Sequence, residues 1–297
     1  MTRHTVTLDV RGPWSLGVSR RFWEGFTPSA LSEELQADGG TLRTVFRVDA
    51  DWSAAEALVS QHGTSAKVTV EGDGDLDAAA AQAGRFLALD VDATDWPGIG
   101  RRDHVIGAVQ AQLAGLRPCG FHSPYEAAAW SVLSQRVRIV QAVKLREQLV
   151  GEAGDGGAFP APERLRNLRC DMPGRKAEYL RAVADAALEG QLDGAALHIS
   201  EADQSVRELQ SIKGIGPFAA ELIVLRGANA QDAVPRHDRR LSSEISEQYG
   251  TERTFEAITN AWRPFRTWAA VYLRAAREGR TSEIAGVPAG LPSGPGA

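Results

Sequence analysis

Apolar positions follow two different periods, one before and one after about residue 95. In the first stretch they alternate by two. Thr5-Val6-Thr7-Leu8-Asp9-Val10, Leu42 to Val48 and Ala66 to Val70 each put apolar or β-branched residues on one face, as half-buried strands do. His62-Gly63-Thr64-Ser65 reads as the turn before the last of these, and Trp14 to Val18 as a strand pairing with the first. Two helices are predicted here: Phe22 to Leu35, started by Thr27-Pro28-Ser29, and the alanine-rich Leu76 to Leu87. Asp95-Trp96-Pro97-Gly98-Ile99-Gly100 breaks the pattern. Beyond it the period is helical: Val105 to Leu113, Tyr125 to Leu133, a helix through Leu149, one from Pro162, one through Tyr179 and Leu180, and Leu241 to Gln248. Ser123 as N-cap, Pro124 at the first helical position and Glu126 in the first turn mark one clear start. The expectation is an α+β protein. An antiparallel β-sheet domain with helices spans 1–98, a mostly α-helical region spans 99–285, and a disordered tail, GVPAGLPSGPGA, spans 286–297.

One segment stands out from this pattern. A helix begun at Ser200 or Asp203 ends on Leu209 and Ile212. Gly214-Ile215-Gly216-Pro217 then turns the chain, and Pro217 suits the first turn of a second helix, Phe218 to Arg226, with Gly227 as C-cap. A glycine hairpin opening onto a helix N-terminus presents backbone N–H groups and a positive dipole end, a ready anion site. Further on, Val234-Pro235-Arg236-His237-Asp238-Arg239-Arg240 sets one carboxylate among three arginines, which favour its ionised form.

Composition adds limits. At 297 residues, with 43% hydrophobic and 24% charged positions, the chain suits a soluble two-domain protein. The start, MTRHTVTLDVRG, has no apolar run after its basic residues, and no stretch approaches the ~20 apolar residues of a membrane span, so a cytoplasmic location is expected. Cys119 and Cys170 are too few for a disulfide framework or a four-cysteine iron–sulfur cluster. The net charge of −5 is uneven: residues 1–100 hold 8 Lys+Arg against 15 Asp+Glu, the remainder 25 against 23. Residues 263–280 carry five arginines and one glutamate, so any basic surface belongs to the second part of the chain.

Ile212-Lys213-Gly214-Ile215-Gly216-Pro217-Phe218-Ala219-Ala220, followed by Asp238 in a Pro-x-x-Asp setting, resembles the helix–hairpin–helix DNA glycosylase superfamily. Within it, the chain looks most like the 3-methyladenine DNA glycosylase II branch. Pro124-Tyr125-Glu126-Ala127 with Gln135-Arg136, and Trp262-Arg263-Pro264-Phe265-Arg266, resemble further stretches of that branch, so the likeness covers about residues 100–280. It implies Asp238 as the catalytic carboxylate. Lys213, Gly214, Ile215, Gly216 and Ala219 would grip the DNA backbone, and Gln135 and Arg136 would fill the gap left by an extruded base. Phe218, Leu222, Trp130 and Trp268 would line the base pocket. The carbonyls of Gln210, Ile212 and Gly214 would hold a monovalent cation, Na+ or K+, with no other cofactor. Arg263 and Arg266 are expected to pair with acidic residues, and the sheet domain to serve as scaffold, with Phe22, Trp23 and Phe26 at a core or domain interface.

Departures from the branch pattern carry information as well. Arg136 stands where a glutamine or an apolar residue is usual, Leu222 where an aromatic is, and Arg274 where an aromatic often ends the last signature. Superfamily members that also cut the strand have a lysine two residues past the second hairpin glycine; that position is Phe218. The expected function is therefore a monofunctional DNA glycosylase of base excision repair without AP-lyase activity. It would act as a monomer on a flipped-out alkylated purine in double-stranded DNA. The alternatives are another lesion (uracil, hypoxanthine or a mismatch) or a helix–hairpin–helix protein that binds DNA without catalysis.

Overall fold

A computed structural model describes residues 2–25, 40–169, 171–250 and 252–281. Of the expected helix Phe22 to Leu35, residues 26–35 lie outside the described residues, as do Cys170 and the tail 286–297, while Phe22, Trp23 and Glu24 end the helix Leu16–Glu24. Four strands, β1 (Thr2–Asp9), β2 (Thr41–Arg47), β3 (Ala54–His62) and β4 (Ser65–Gly72), form one antiparallel sheet in the order β1-β4-β3-β2. Val68 of β4 sits opposite both Val6 and Val59, and Ala57, Val59, Ala66, Val68 and Val70 are wholly buried. Strand β3 was not read from the sequence. Its AAEALVSQH carries alanines where β-branched residues normally announce a strand, and its partners on both sides supply what propensity does not.

Fourteen helices are found among the described residues. The first two are α1 (Leu16–Glu24) and α2 (Leu76–Phe86). Trp14 to Val18 is thus no strand: Ser15 caps α1, its hydroxyl accepting the Val18 N–H, and a serine N-cap outweighs a short apolar run. There follow α3 (Trp96–Arg102), α4 (His104–Gln112), α5 (Pro124–Leu133), α6 (Ile139–Ala153), α7 (Pro162–Asn167), α8 (Lys176–Leu188), α9 (Gly194–Ile199), α10 (Ala202–Leu209), α11 (Pro217–Leu222), α12 (Arg239–Tyr249), α13 (Phe255–Asn260) and α14 (Arg266–Thr281). Pro97, read as a breaker, lies in the first turn of α3, where its missing N–H costs nothing. Glu201, rather than Ser200 or Asp203, caps α10. Gly227 does not end a plain α-helix: α11 runs into a π-helical turn, Ile223–Gly227, closed by the Ala228 N–H on the Ile223 carbonyl at 2.8 Å.

Three apolar cores result. One lies under the sheet, around Trp23, Phe46 and Phe86. A second gathers α5, α8, the hairpin and the π turn. The third joins α3 and α4 to α12 and α14. Buried polar side chains fasten them together. Arg117, wholly buried, donates to the carbonyls of Ala88, Val91, Pro13 and Arg11, and burial pulls its guanidinium down to about 10. Asp103 caps α4 and accepts from Tyr249 Oη and Trp262 Nε1 at 2.9 and 3.1 Å, which fixes the far end of α12.

Candidate active site

The hairpin between α10 and α11 has the geometry that its glycines require. Gly214 has φ +95°, and a Cβ there would strike the Tyr179 ring at 2.4 Å. Gly216 differs: its φ is −95° and nothing lies within 4 Å of where a Cβ would stand. The fold makes no demand for glycine at that position. Gly227 lets the π turn press on α5, since a Cβ would meet Pro124 Cα at 2.7 Å. Ile215 and Ala219 are buried beneath the hairpin.

Asp238 is the N-cap of α12. Its Oδ1 accepts the N–H groups of Arg240 and Leu241 at 2.9 and 3.1 Å, and its Oδ2 accepts from Arg274 Nε at 3.1 Å. The two side chains are about one fifth exposed. Of the arginines next to Asp238 in sequence, Arg236 turns to Asp203; the contact to the carboxylate comes instead from α14. Arg274 Nη1 is buried and has no hydrogen-bond partner among the described residues. A buried unsatisfied donor costs about 1–3 kcal/mol. Arg226, carried by the π turn, donates to the Cys119 carbonyl at 2.7 Å and lies over the Phe22 ring; its charge is near enough to be felt by both Arg274 and Asp238, and burial pulls its guanidinium down to about 10.

The loop leading to Asp238 is braced from below. Glu221 of α11 is buried and accepts from the backbone N–H of Arg236 and His237, both at 3.0 Å, and from His237 Nδ1 at 2.7 Å. Sequence reading missed this residue, because a glutamate in a helix carries no signal of burial. It also missed Lys176. That ammonium, pulled down by burial, donates to the carbonyls of Val132 and Gln135 at 2.8 and 2.7 Å and so caps the end of α5.

Gln135 and Arg136 follow that end. Gln135 Nε2 donates to the Gly214 carbonyl at 2.8 Å, which ties this loop to the hairpin. Arg136 is exposed, has φ +55°, an uncommon conformation for a non-glycine residue, and makes no hydrogen bond or ion pair among the described residues. Lys213, expected on phosphate, pairs with Glu178, whose carboxyl Arg175 and Lys213 hold down at about 2. Phe218 is 53% exposed beside the hairpin, and Leu222 is half-buried. Trp130 sits in the core around α5, and Trp268 is wholly buried against Trp96 and Phe265. Neither tryptophan presents an open face. Arg263 and Arg266 both pair with Asp232, and Arg277 and Arg280 with Glu244, so the basic run 263–280 is largely spent on ion pairs within the protein.

For a cation, the carbonyls of Gln210, Ile212 and Gly214 are the right chemistry: neutral, hard oxygens. Ile212 O already accepts from Ile215 N and Gly214 O from Gln135, and each carbonyl keeps a second lone pair. Among the described residues no three His, Cys, Asp or Glu side chains gather to hold a metal, and no helix is long and apolar enough to cross a membrane.

No family model matches the chain. It is 26% identical over 207 residues to a DNA-3-methyladenine glycosylase of Bacillus subtilis, covering 63% of this chain and 68% of that one. It is 30% identical over 181 residues to DNA-3-methyladenine glycosylase 2 of Escherichia coli, covering 57% and 63%. The chain thus spans about two thirds of the length of these relatives. Its fold resembles that of the solved 3-methyladenine DNA-glycosylase from Archaeoglobus fulgidus, with a TM-score of 0.69 over 94% of this chain and 99% of that one, at 19% identity. The chain is thus similar in sequence to DNA-3-methyladenine glycosylases and has the fold of one. In this chain a guanidinium from α14 stands beside the carboxylate of Asp238.

Proposed function

We propose that the chain is a monofunctional DNA glycosylase that hydrolyses the N-glycosidic bond of a damaged base flipped out of double-stranded DNA. The observation that carries this reading is Asp238, fixed by its cap on α12 and partly open at the end of the loop that Glu221 of α11 holds. As the C1′–N bond breaks, positive charge develops on the sugar, and a fixed carboxylate stabilises it and orients the attacking water. The hairpin N–H groups hold a backbone phosphate, helped by the approach open at Gly216. Arg136 enters the stack behind the extruded base. A monovalent cation on the carbonyls of Gln210, Ile212 and Gly214 would add positive charge beside that phosphate.

The lysines support hydrolysis over Schiff-base chemistry. There are four: Lys67 in β4, Lys144 exposed on α6, Lys176 held by two carbonyls and Lys213 paired with Glu178. The names of the relatives bring alkylated purines of the 3-methyladenine kind to this chain as its first substrate class. A second reading, an uncharged lesion, is favoured by Arg274 in the place of an aromatic. Chromatography of bases released from duplex DNA treated with a methylating agent tests the first reading. Release of methylated purines that drops about 100-fold or more in Asp238→Asn is expected; release unchanged in the variant refutes the role given to Asp238.

A further inference from the structure

One carboxylate beside the hairpin holds two cations at once. Glu178 lies in the first turn of α8 and accepts from Arg175 Nε and Nη2 at 2.7 and 2.9 Å, a two-pronged contact; it also pairs with Lys213. Lys213 directly precedes Gly214, and Gly214 rests on the ring of Tyr179, the residue after Glu178. The Arg175 guanidinium lies over the same ring, 5.1 Å from its centre. The cluster thus joins the start of α8 to the rim of the hairpin. Gln135 ties the loop carrying Arg136 and Arg138, both exposed, to the Gly214 carbonyl. Unlike Glu244, whose side chain is almost wholly buried among its arginines, this group is open to solvent. The side chains of Arg175, Lys213 and Glu178 are 59%, 58% and 39% exposed.

We propose that Arg175 and Lys213 form a site for a backbone phosphate of duplex DNA, and that Glu178 is a resident carboxylate that fills this site until DNA displaces it. The proposal rests on the reading above that the chain acts on duplex DNA. The planar fork of Arg175 fits a phosphate as it fits a carboxylate, and Lys213 adds a point charge beside it. An exposed ion pair is weak, so the exchange gives up little. A cation that leaves Glu178 for a phosphate releases condensed counterions from the duplex, a gain that no internal carboxylate offers. Glu178 then stays hydrated but faces the strand with like charge, which loosens the grip. The contact reads no base, so the loosening acts on backbone of any sequence. Undamaged duplex is released sooner for it.

Fluorescence anisotropy with an undamaged duplex over a salt series tests this, with thermal unfolding as the check of folding. Four proteins are compared: the wild type, Glu178→Gln, the double variant Arg175→Gln with Lys213→Gln, and the triple variant that combines all three. Glu178→Gln should tighten binding about twofold to fivefold at fixed salt. The double variant should bind more weakly, and its slope of log K against log salt should be shallower by about two, one for each lost phosphate contact. The triple variant should match the double, because Glu178 has no cation left to withhold. Tightening by Glu178→Gln that persists in the double background would be a plain effect of net charge and overturns the proposal, as does an unchanged slope in the double variant. Weaker binding by Glu178→Gln would show that the cluster only steadies the hairpin, and no change would show that it withholds nothing. Failure of the glycosylase reading looks different: the wild type binds duplex and follows this pattern but releases no base from methylated DNA. A wild type that binds no duplex overturns both.

Discussion

Asp238 serves two roles with two oxygens. Oδ1 is spent on the first turn of α12, and Oδ2 faces Arg274, so the carboxylate cannot rotate without breaking its own helix cap. Rigidity of this sort is what a fixed electrostatic stabiliser needs. Glu221 extends it one layer outward by holding the backbone of Arg236 and His237. Glu221→Ala should lower kcat about tenfold or more with little change in KM, because the loop loses its brace while the hairpin stays intact. Glu221→Gln, which keeps an acceptor for one N–H, should fall between; equal kcat for all three proteins in steady-state base release would show that the brace is irrelevant. At this scale the sequence singles out Asp238 as a candidate, because it follows a glycine hairpin in a Pro-x-x-Asp setting. It does not single out Glu221 and Lys176, because burial of a charged helix residue leaves no mark in the local pattern.

The hairpin, the π turn and the loop after α5 form one mechanical unit. Lys176 caps α5, Gln135 bridges to Gly214, Gly214 rests on Tyr179 of α8, and Gly227 seats the π turn on α5. Each joint fixes the loop that carries Arg136 relative to the hairpin. The two glycines of the hairpin should therefore respond differently. Gly214→Ala puts a Cβ into the Tyr179 ring at a left-handed φ and should cost about 2 kcal/mol or more of stability. Gly216→Ala, in open space at a negative φ, should leave stability within about 0.5 kcal/mol and weaken duplex binding instead. Thermal unfolding and fluorescence anisotropy separate the two, and equal loss of stability in both would refute the assignment of Gly216 to the outside. The helix–turn–helix itself was read from sequence. The π turn was not, since one extra residue in a helix has no compositional mark.

Across the whole molecule, the sheet is attached to the helical region by buried polar groups rather than by an apolar seam alone. Arg117 and Arg47 reach from one part to carbonyls of the other, and His122 packs on Phe46 and meets Thr44 at 2.7 Å. Asp49 is the weak point. Its carboxyl oxygens are buried and, apart from the nearby Gly194 backbone N–H, meet no donor among the described residues; burial pushes its carboxyl up to about 8, against the pull of Arg85. The folded protein keeps that proton between about pH 4 and pH 8, where the unfolded chain has lost it. The resulting stabilisation is full below about pH 4 and is lost as pH rises through 8. Asp49→Asn should therefore flatten the fall in Tm between pH 5 and pH 8 and raise Tm at pH 8. Identical pH profiles for the two proteins would refute this account of Asp49. The α+β class was legible from the change of hydrophobic period near residue 95. The attachment was not, because arginine and aspartate read from sequence as surface residues.

Hydrolysis driven by Asp238 without a covalent step would leave the DNA strand intact at the abasic site, whereas Schiff-base chemistry would cut it. A labelled duplex with a single lesion base would be treated with the wild type and with Asp238→Asn under single-turnover conditions, and each product run with and without hot alkali. The expected wild-type product is an intact strand until alkali cuts it at the abasic site, with little product from the variant. Strand scission without alkali, or equal product from Asp238→Asn, would contradict it.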